Sequence, residues 1–312
     1  MIRFWRRPGA HVVFSSEYLL GLSTYGSYHG FDIYKYKRMR DALLKEKILR
    51  RKYICAPHPC RNEDIELVHD KEYIRKIQDP VFVQQMLKIQ MNSMWDNSVL
   101  EYFKAVTGGT LFATALALKK GGAVFNLGGG FHHAHADRGE GFCLINDVAI
   151  AIEKFRRKGR IRQVLVIDLD YHQGNGTAGI FRDDTDVFTF SIHAEQWEDI
   201  RAVSHRDILI DSDIGDAEYL QLTQNALDNL QDFPADILFY IAGSDPYEKD
   251  ELADMRISRG AMLQRNRMVY QYARDRKTPL VVVPGGGYGK ESWHIYHDFL
   301  KAALTGKGGG DV

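Results

Sequence analysis

The stretch Val164–Thr177, VLVIDLDYHQGNGT, limits the possible folds more than any other part of this sequence. It opens on Val-Leu-Val-Ile, apolar and mostly β-branched with no helical period, as in a strand covered on both faces. Asp168 and Asp170 close that run, and His172 follows two residues later. An ionised carboxylate is costly to bury alone, so a pair of them ending a buried strand calls for a cation or for donors. The spacing of two sets Asp168, Asp170 and His172 on one side of an extended backbone. Carboxylate oxygens with an imidazole nitrogen suit a divalent metal, zinc first. The plainer alternative is an Asp capping the next loop beside a solvent-facing His, because D-x-H is short and common.

From residue 123 onward the same pattern recurs. Short apolar runs stand at Ala123–Leu127, Val164–Asp168, Val187–Ile192, Asp236–Ala242 and Leu280–Val283. Stretches of helical period lie between most of them, at Ile145–Arg157, Ala217–Leu230 and Ser258–Arg274. Strand and helix in alternation predict an α/β fold of three layers, a mostly parallel central sheet flanked by helices. The link from Val164–Asp168 to Val187–Ile192 is short, so that crossover is expected to lack a full helix. Residues 1–120 read as helical and irregular, with an amphipathic basic stretch at Tyr34–Arg51 and an apolar helix over Val99–Lys120 closed by Gly121. No linker or repeat divides the chain, so one domain over 1–312 is expected, with a flexible Gly-rich tail at 306–312.

Glycine and polar residues collect after each apolar run: GGGFHHAH after Leu127, DLDYHQGNG after Ile167, His193 after Ile192, GSDPYEKDELAD after Ala242 and PGGGYGK after Val283. Open α/β sheets bind ligands outside the carboxyl ends of their strands, so this recurrence points to an active site. Neither glycine run is a phosphate cradle, because His133 breaks a dinucleotide pattern and Glu291 replaces the hydroxyl residue after Gly289-Lys290. The tandem His132 and His133 suit general acid and base work near neutrality. Asp245 and Asp250 are both candidates for a third metal ligand beside Asp170 and His172, and Asp245 also suits a turn before Pro246. Tyr288 either donates to a developing negative charge or packs over its glycine turn.

Lys+Arg and Asp+Glu both number 41, so net charge gives no reason to expect nucleic acid or an acidic membrane surface as partner. Three cysteines are too few for a disulfide framework and fit a reducing compartment. Pro8, Ser15, Ser16 and Glu17 interrupt any signal-peptide core, and no apolar run nears the roughly 18 residues of a membrane span. A soluble cytoplasmic protein is expected.

Together these motifs resemble the histone deacetylase superfamily of zinc-dependent amidohydrolases. LGGGFHHA, DRGEGFCLINDVAIA, VIDLDYHQGNGT, SIH, YIAGSDPYEKDELAD and PGGGY carry the resemblance, with weaker similarity in VFSSEYLLGL, GFDIYKYKRMRDAL and VHDKEYI. Gln173, GFD and AGSD look most like the class IV branch. The resemblance implies an arginase/deacetylase-like fold and one zinc per chain on Asp170, His172 and Asp250, which leaves Asp245 as the turn residue. Binuclear hydrolases of the arginase type place an Asp where Gly174 stands here, so a single metal is implied. His132 pairs with Asp168, and His133 faces Asn175 where many relatives have Asp. Gly141 and Phe142 match the acyl tunnel wall, and Tyr288 matches the catalytic tyrosine. A structural potassium is implied on the carbonyls of Asp168, Asp170, His172 and Ile192 with the Ser191 hydroxyl.

The activity so implied is hydrolysis of an N-acyl-lysine or similar acylated amine, as a deacetylase or a longer-chain deacylase. An acetylpolyamine amidohydrolase and a catalytically silent acyl-lysine binding module are the alternatives.

Overall fold

The computed structural model describes residues 11–19, 32, 34–87, 98–195, 204–230 and 232–306. Residues 1–10 and the Gly-rich tail from 307 lie outside the described residues, as do parts of VFSSEYLLGL and GFD. The strands are β1 His11–Val13, β2 Ile54–Cys55, β3 Ala123–Asn126, β4 Val164–Asp168, β5 Val187–His193, β6 Arg206–Leu209, β7 Ile237–Ile241 and β8 Leu280–Val283. They form one sheet in the order β2-β1-β3-β8-β7-β4-β5-β6, and every pairing is parallel. All five apolar runs expected to be strands are strands. Those of β3, β4, β7 and β8 are buried at every residue, as strands covered on both faces must be.

Three strands went unread. β1 and β2 span three and two residues, too short for an alternation to register, so residues 1–120 are not only helical and irregular. The edge strand β6 carries Arg206 and Asp207 and reads as a polar loop.

Helices Asp147–Arg157, Asp216–Asp228 and Arg259–Arg276 fill the expected crossovers, and only the six-residue Asn175–Ile180 links β4 to β5. The long helix Ser98–Lys120 ends at Gly121, whose φ of +70° suits a glycine stop. No helix among the described residues is long and apolar enough to cross a membrane.

The strand order positions the site. After β3 the chain skips two places to β4, and β7 and β8 later fill the gap. The loops leaving β3, β8, β7 and β4 therefore emerge side by side where the order reverses. Helix Asp147–Arg157 buttresses that edge through its cap. Asn146 Oδ1 accepts the Ala149 N–H at 2.9 Å, and its Nδ2 donates to Ala134 O at 3.1 Å and Thr177 Oγ1 at 3.0 Å.

The Asn146 N–H in turn donates to His69 Nε2 at 3.0 Å, which requires a lone pair on that nitrogen. Burial pushes His69 down from 6.5 to about 4. The unfolded chain binds this proton at higher pH than the folded one, so stability is lost as pH falls from 6.5 to about 4, by up to ~3 kcal/mol. Denaturant midpoints at neutral pH and near the lower value should fall more steeply for the parent than for His69→Gln. Parallel declines would remove His69 from the acid response.

Candidate active site

The β3 and β8 loops meet at the floor of the site. Gly285 N–H donates to Gly129 O at 3.0 Å, and a Cβ on Gly130, where φ is +85°, would lie 2.7 Å from Gly285 N. The two glycine runs are thus what allow two backbones to touch, which agrees with their not being phosphate loops. The buried Asp147 carboxylate holds the turn by accepting the N–H of Gly130 and Phe131 and the hydroxyl of Thr110.

That turn brings His132 and His133 into the site, both buried, with ring centroids 4.0 Å apart. His132 Nδ1–H donates to Asp168 Oδ2 at 2.7 Å, the pairing the sequence implied. Burial disfavours a charged His132, yet Asp168 and Asp170 outweigh it and hold the group up to about 9. His133 stands differently. Its Nδ1 faces Asn175 Oδ1 at 2.8 Å, and burial with the neighbouring His132 and His172 pushes it well below the ordinary range. Of the pair, His133 is the neutral imidazole.

Asp170, His172 and Asp245 gather next to these rings, with one ligand atom from each lying within 4.8 Å of the others. His172 Nδ1 lies 3.2 Å from Asp170 Oδ1 and 3.2 Å from Asp245 Oδ2. Burial raises Asp245 to about 7, with the nearby Asp170 pushing the same way. Burial also acts against Asp170, but His132 and His172 hold it well below the usual carboxylate range. Two buried carboxylates sharing one imidazole are a donor set that a divalent cation fits.

The expectation that made Asp245 only a turn residue is corrected. Its side chain is fully buried, Oδ1 accepts the Tyr171 N–H at 2.9 Å, and Oδ2 lies against His172. Asp250, expected as the third ligand, is not among the three gathered side chains. It lies further along the loop, where Oδ1 accepts the N–H of Leu252 and Ala253 and Oδ2 accepts the Tyr288 N–H at 2.7 Å. Asp250 thereby ties the β7 loop to the residue that closes the pocket.

A pocket opens over these groups. His133, His172, Gly141, Phe142 and Tyr288 line both its inner and outer parts, with the Phe142 and Tyr288 ring centroids 6.4 Å apart. Met86, Leu87, Glu140, Glu195 and Leu252 form the outer part. Ser191 and Ile192 lie in β5, where Ser191 is in register with Asp168 and its hydroxyl lies 2.8 Å from His193 Nδ1.

Three further residues shape the site, and the sequence reading gave none of them a role. Lys35 is fully buried and donates to Gly287 O at 2.7 Å; burial lowers it to about 8 against the pull of Asp250, Asp245 and Asp170. Glu140 accepts from Asn175 Nδ2 at 3.0 Å. Arg265, fully buried, donates to Leu169 O at 2.8 Å and to Gly243 O at 2.8 Å, bracing the exits of β4 and β7 together. A clue to Asn175's second contact lay in DRGEGFC, where an acid stands among glycines. Nothing local marks Arg265 or Lys35, each of which sits in a basic helix that reads as solvated.

An all-parallel sheet with this site at its order reversal is the arginase/deacetylase-like α/β fold. A solved structure titled as an HDAC homologue complexed with SAHA matches with a TM-score of 0.77 at 23% identity, covering 96% of this chain and 84% of that one. A family model for the histone deacetylase domain matches residues 29–302. Histone deacetylase 2 of Arabidopsis thaliana is 31% identical over 300 residues, 93% of this chain and 77% of that protein. An uncharacterized Picosynechococcus protein is also 31% identical, over 284 residues that make up 90% of this chain and 93% of that one. Acetoin utilization protein AcuC of Staphylococcus aureus is 27% identical over 292 residues, 86% of this chain and 74% of its own length. The chain belongs to the histone deacetylase family.

Arg265→Lys keeps the charge but cannot fork across both carbonyls. With a charge-assisted bond lost and a buried carbonyl left without its donor, unfolding free energy should fall by about 2–4 kcal/mol. Equilibrium denaturation measures this, and a loss below about 0.5 kcal/mol, the size of an ordinary surface substitution, would show that the brace is not needed.

Proposed function

We propose that this protein hydrolyses N-acyl amides of a lysine side chain or similar primary amine, with a zinc ion resident at Asp170 and His172. One observation carries the reading. The neutral His133 ring lies 5.7 Å from the ring of His172, inside a pocket that Tyr288 also lines. The family supports it, as do a relative named Histone deacetylase 2 and a solved homologue described with SAHA. The third zinc ligand comes from the loop after β7, where the family pattern marks Asp250 and Asp245 lies against His172. The same reading assigns a potassium ion to the carbonyls of Asp168, Asp170, His172 and Ile192 with the Ser191 hydroxyl.

A bound zinc would polarise the acyl carbonyl and acidify a water beside it. His133 Nε2 accepts the proton from that water and returns it to the leaving nitrogen, one group serving as base and then acid. Asn175 orients His133, and His132, held by Asp168, sets the electrostatic field in which that proton moves. The Tyr288 hydroxyl donates to the oxygen on which negative charge develops. Gly141 and Phe142 wall the channel for the acyl chain, and the class IV likeness makes a longer acyl group an option beside acetyl.

A second reading, hydrolysis of acetylated polyamines, is favoured by Glu140 and Glu195 in the outer pocket, which would attract a cationic carrier. Turnover of acyl-lysine peptides and acetylpolyamines, with and without a chelator, separates the two. On the better substrate Tyr288→Phe should lower kcat by about a hundredfold or more while zinc content is retained. Undiminished turnover in that variant would strip the tyrosine of its role.

A further inference from the structure

His133 rests on an amide, and the structure shows what holds that amide. Gly176 N–H donates to Asn175 Oδ1 at 2.9 Å, so the atom facing the imidazole is an oxygen. His133 Nδ1, 2.8 Å from that oxygen, therefore carries a proton, and Nε2 keeps its lone pair. The other end of the amide, Nδ2, donates to Glu140 Oε2 at 3.0 Å. The same oxygen accepts His135 Nε2–H at 3.1 Å, and Arg138 Nη2 stands 4.0 Å away.

We propose that Glu140 is a positioning residue for His133, acting through Asn175 to keep the proton on Nδ1 and the lone pair on Nε2. The proposal rests on the reading of His133 as the base. An aspartate at position 175 would need no such device, because both its oxygens accept. An asparagine has a donor end, and turned around it would present N–H to Nδ1 and drive the imidazole proton to Nε2, where no base is left. Gly176 opposes that rotation with one neutral hydrogen bond. Glu140 opposes it with a charged one, since the turned amide would set its oxygen against a carboxylate. The side chain of Glu140 is 29% exposed at the pocket mouth.

In the zinc-loaded protein Glu140→Ala should lower kcat about tenfold with KM and zinc content unchanged, the cost of losing one charged hydrogen bond. Glu140→Gln keeps an acceptor for Asn175 Nδ2 and should stay within about threefold of the parent. In an Asn175→Asp background, which has no donor end to turn and sets two carboxylates against each other, Glu140→Ala should not lower kcat. Long-range ¹⁵N–¹H spectra of the histidine side chains read the tautomer without turnover. They should show His133 protonated on Nδ1 in the parent and redistributed toward Nε2 in Glu140→Ala. An equal loss of kcat in both backgrounds, a loss confined to KM, or an unmoved tautomer would overturn the proposal. A parent without acyl-amide turnover would instead sink the reading of His133 as base, while the spectra would still decide whether Glu140 sets the tautomer.

Discussion

The structure depends on how three buried carboxylates are kept at the carboxyl ends of β4 and β7. Asp168, Asp170 and Asp245 are 4%, 1% and 0% exposed, and carboxylates that deep in a protein must find protons, donors or a cation. Each finds an imidazole: Asp168 takes the N–H of His132, and Asp170 and Asp245 share His172. Backbone donors take up further lone pairs, Gly286 N–H on Asp170 and Tyr171 N–H on Asp245. Negative charge concentrated in this way raises His132 and His172, whereas burial and those two neighbouring imidazoles drive His133 down. One cluster thus shifts two adjacent histidines in opposite directions, and in the proposed reaction the lowered one is the base.

Rigid backbone keeps the arrangement in place. The β4 and β7 exits are pinned by the Arg265 fork, the β3 turn by Asp147, and the β8 loop by Gly129, Asp170 and Lys35. The close contact of the β3 and β8 loops depends on Gly130 carrying no Cβ, and Gly285 lacks one where Ile241 and the Asp170 carboxylate crowd it. The glycine runs are packing devices that set the distance between the histidine pair and Tyr288.

Much of this was legible in the sequence because buried parallel strands write themselves as unbroken apolar runs. β3, β4, β5, β7 and β8 were readable, and so were the residues standing at their ends, since polar groups at such positions have few structural uses. The pairing of His132 with Asp168 and the contact of His133 with Asn175 followed from the family pattern. What stayed hidden was decided by tertiary contact. β1 and β2 are too short to show a period. Asp245 precedes a proline and reads as a turn, and only the fold reveals that the turn is buried under His172. Arg265 and Glu140 look like solvated charges until the carbonyls after β4 and β7, or the amide of Asn175, arrive from 22 to 96 residues away to meet them.

Calorimetric titration of chelator-treated protein with zinc tests the central claim most directly, using the parent alongside Asp170→Asn, Asp245→Asn and Asp250→Asn. The account predicts one zinc per chain. It also predicts a loss of affinity above about a hundredfold for Asp170→Asn and for whichever β7-loop aspartate is the ligand, with about 10–100-fold or less for the other, the usual cost of an outer partner of a metal site. A parent that binds no zinc, or variants that all bind it like the parent, would contradict it.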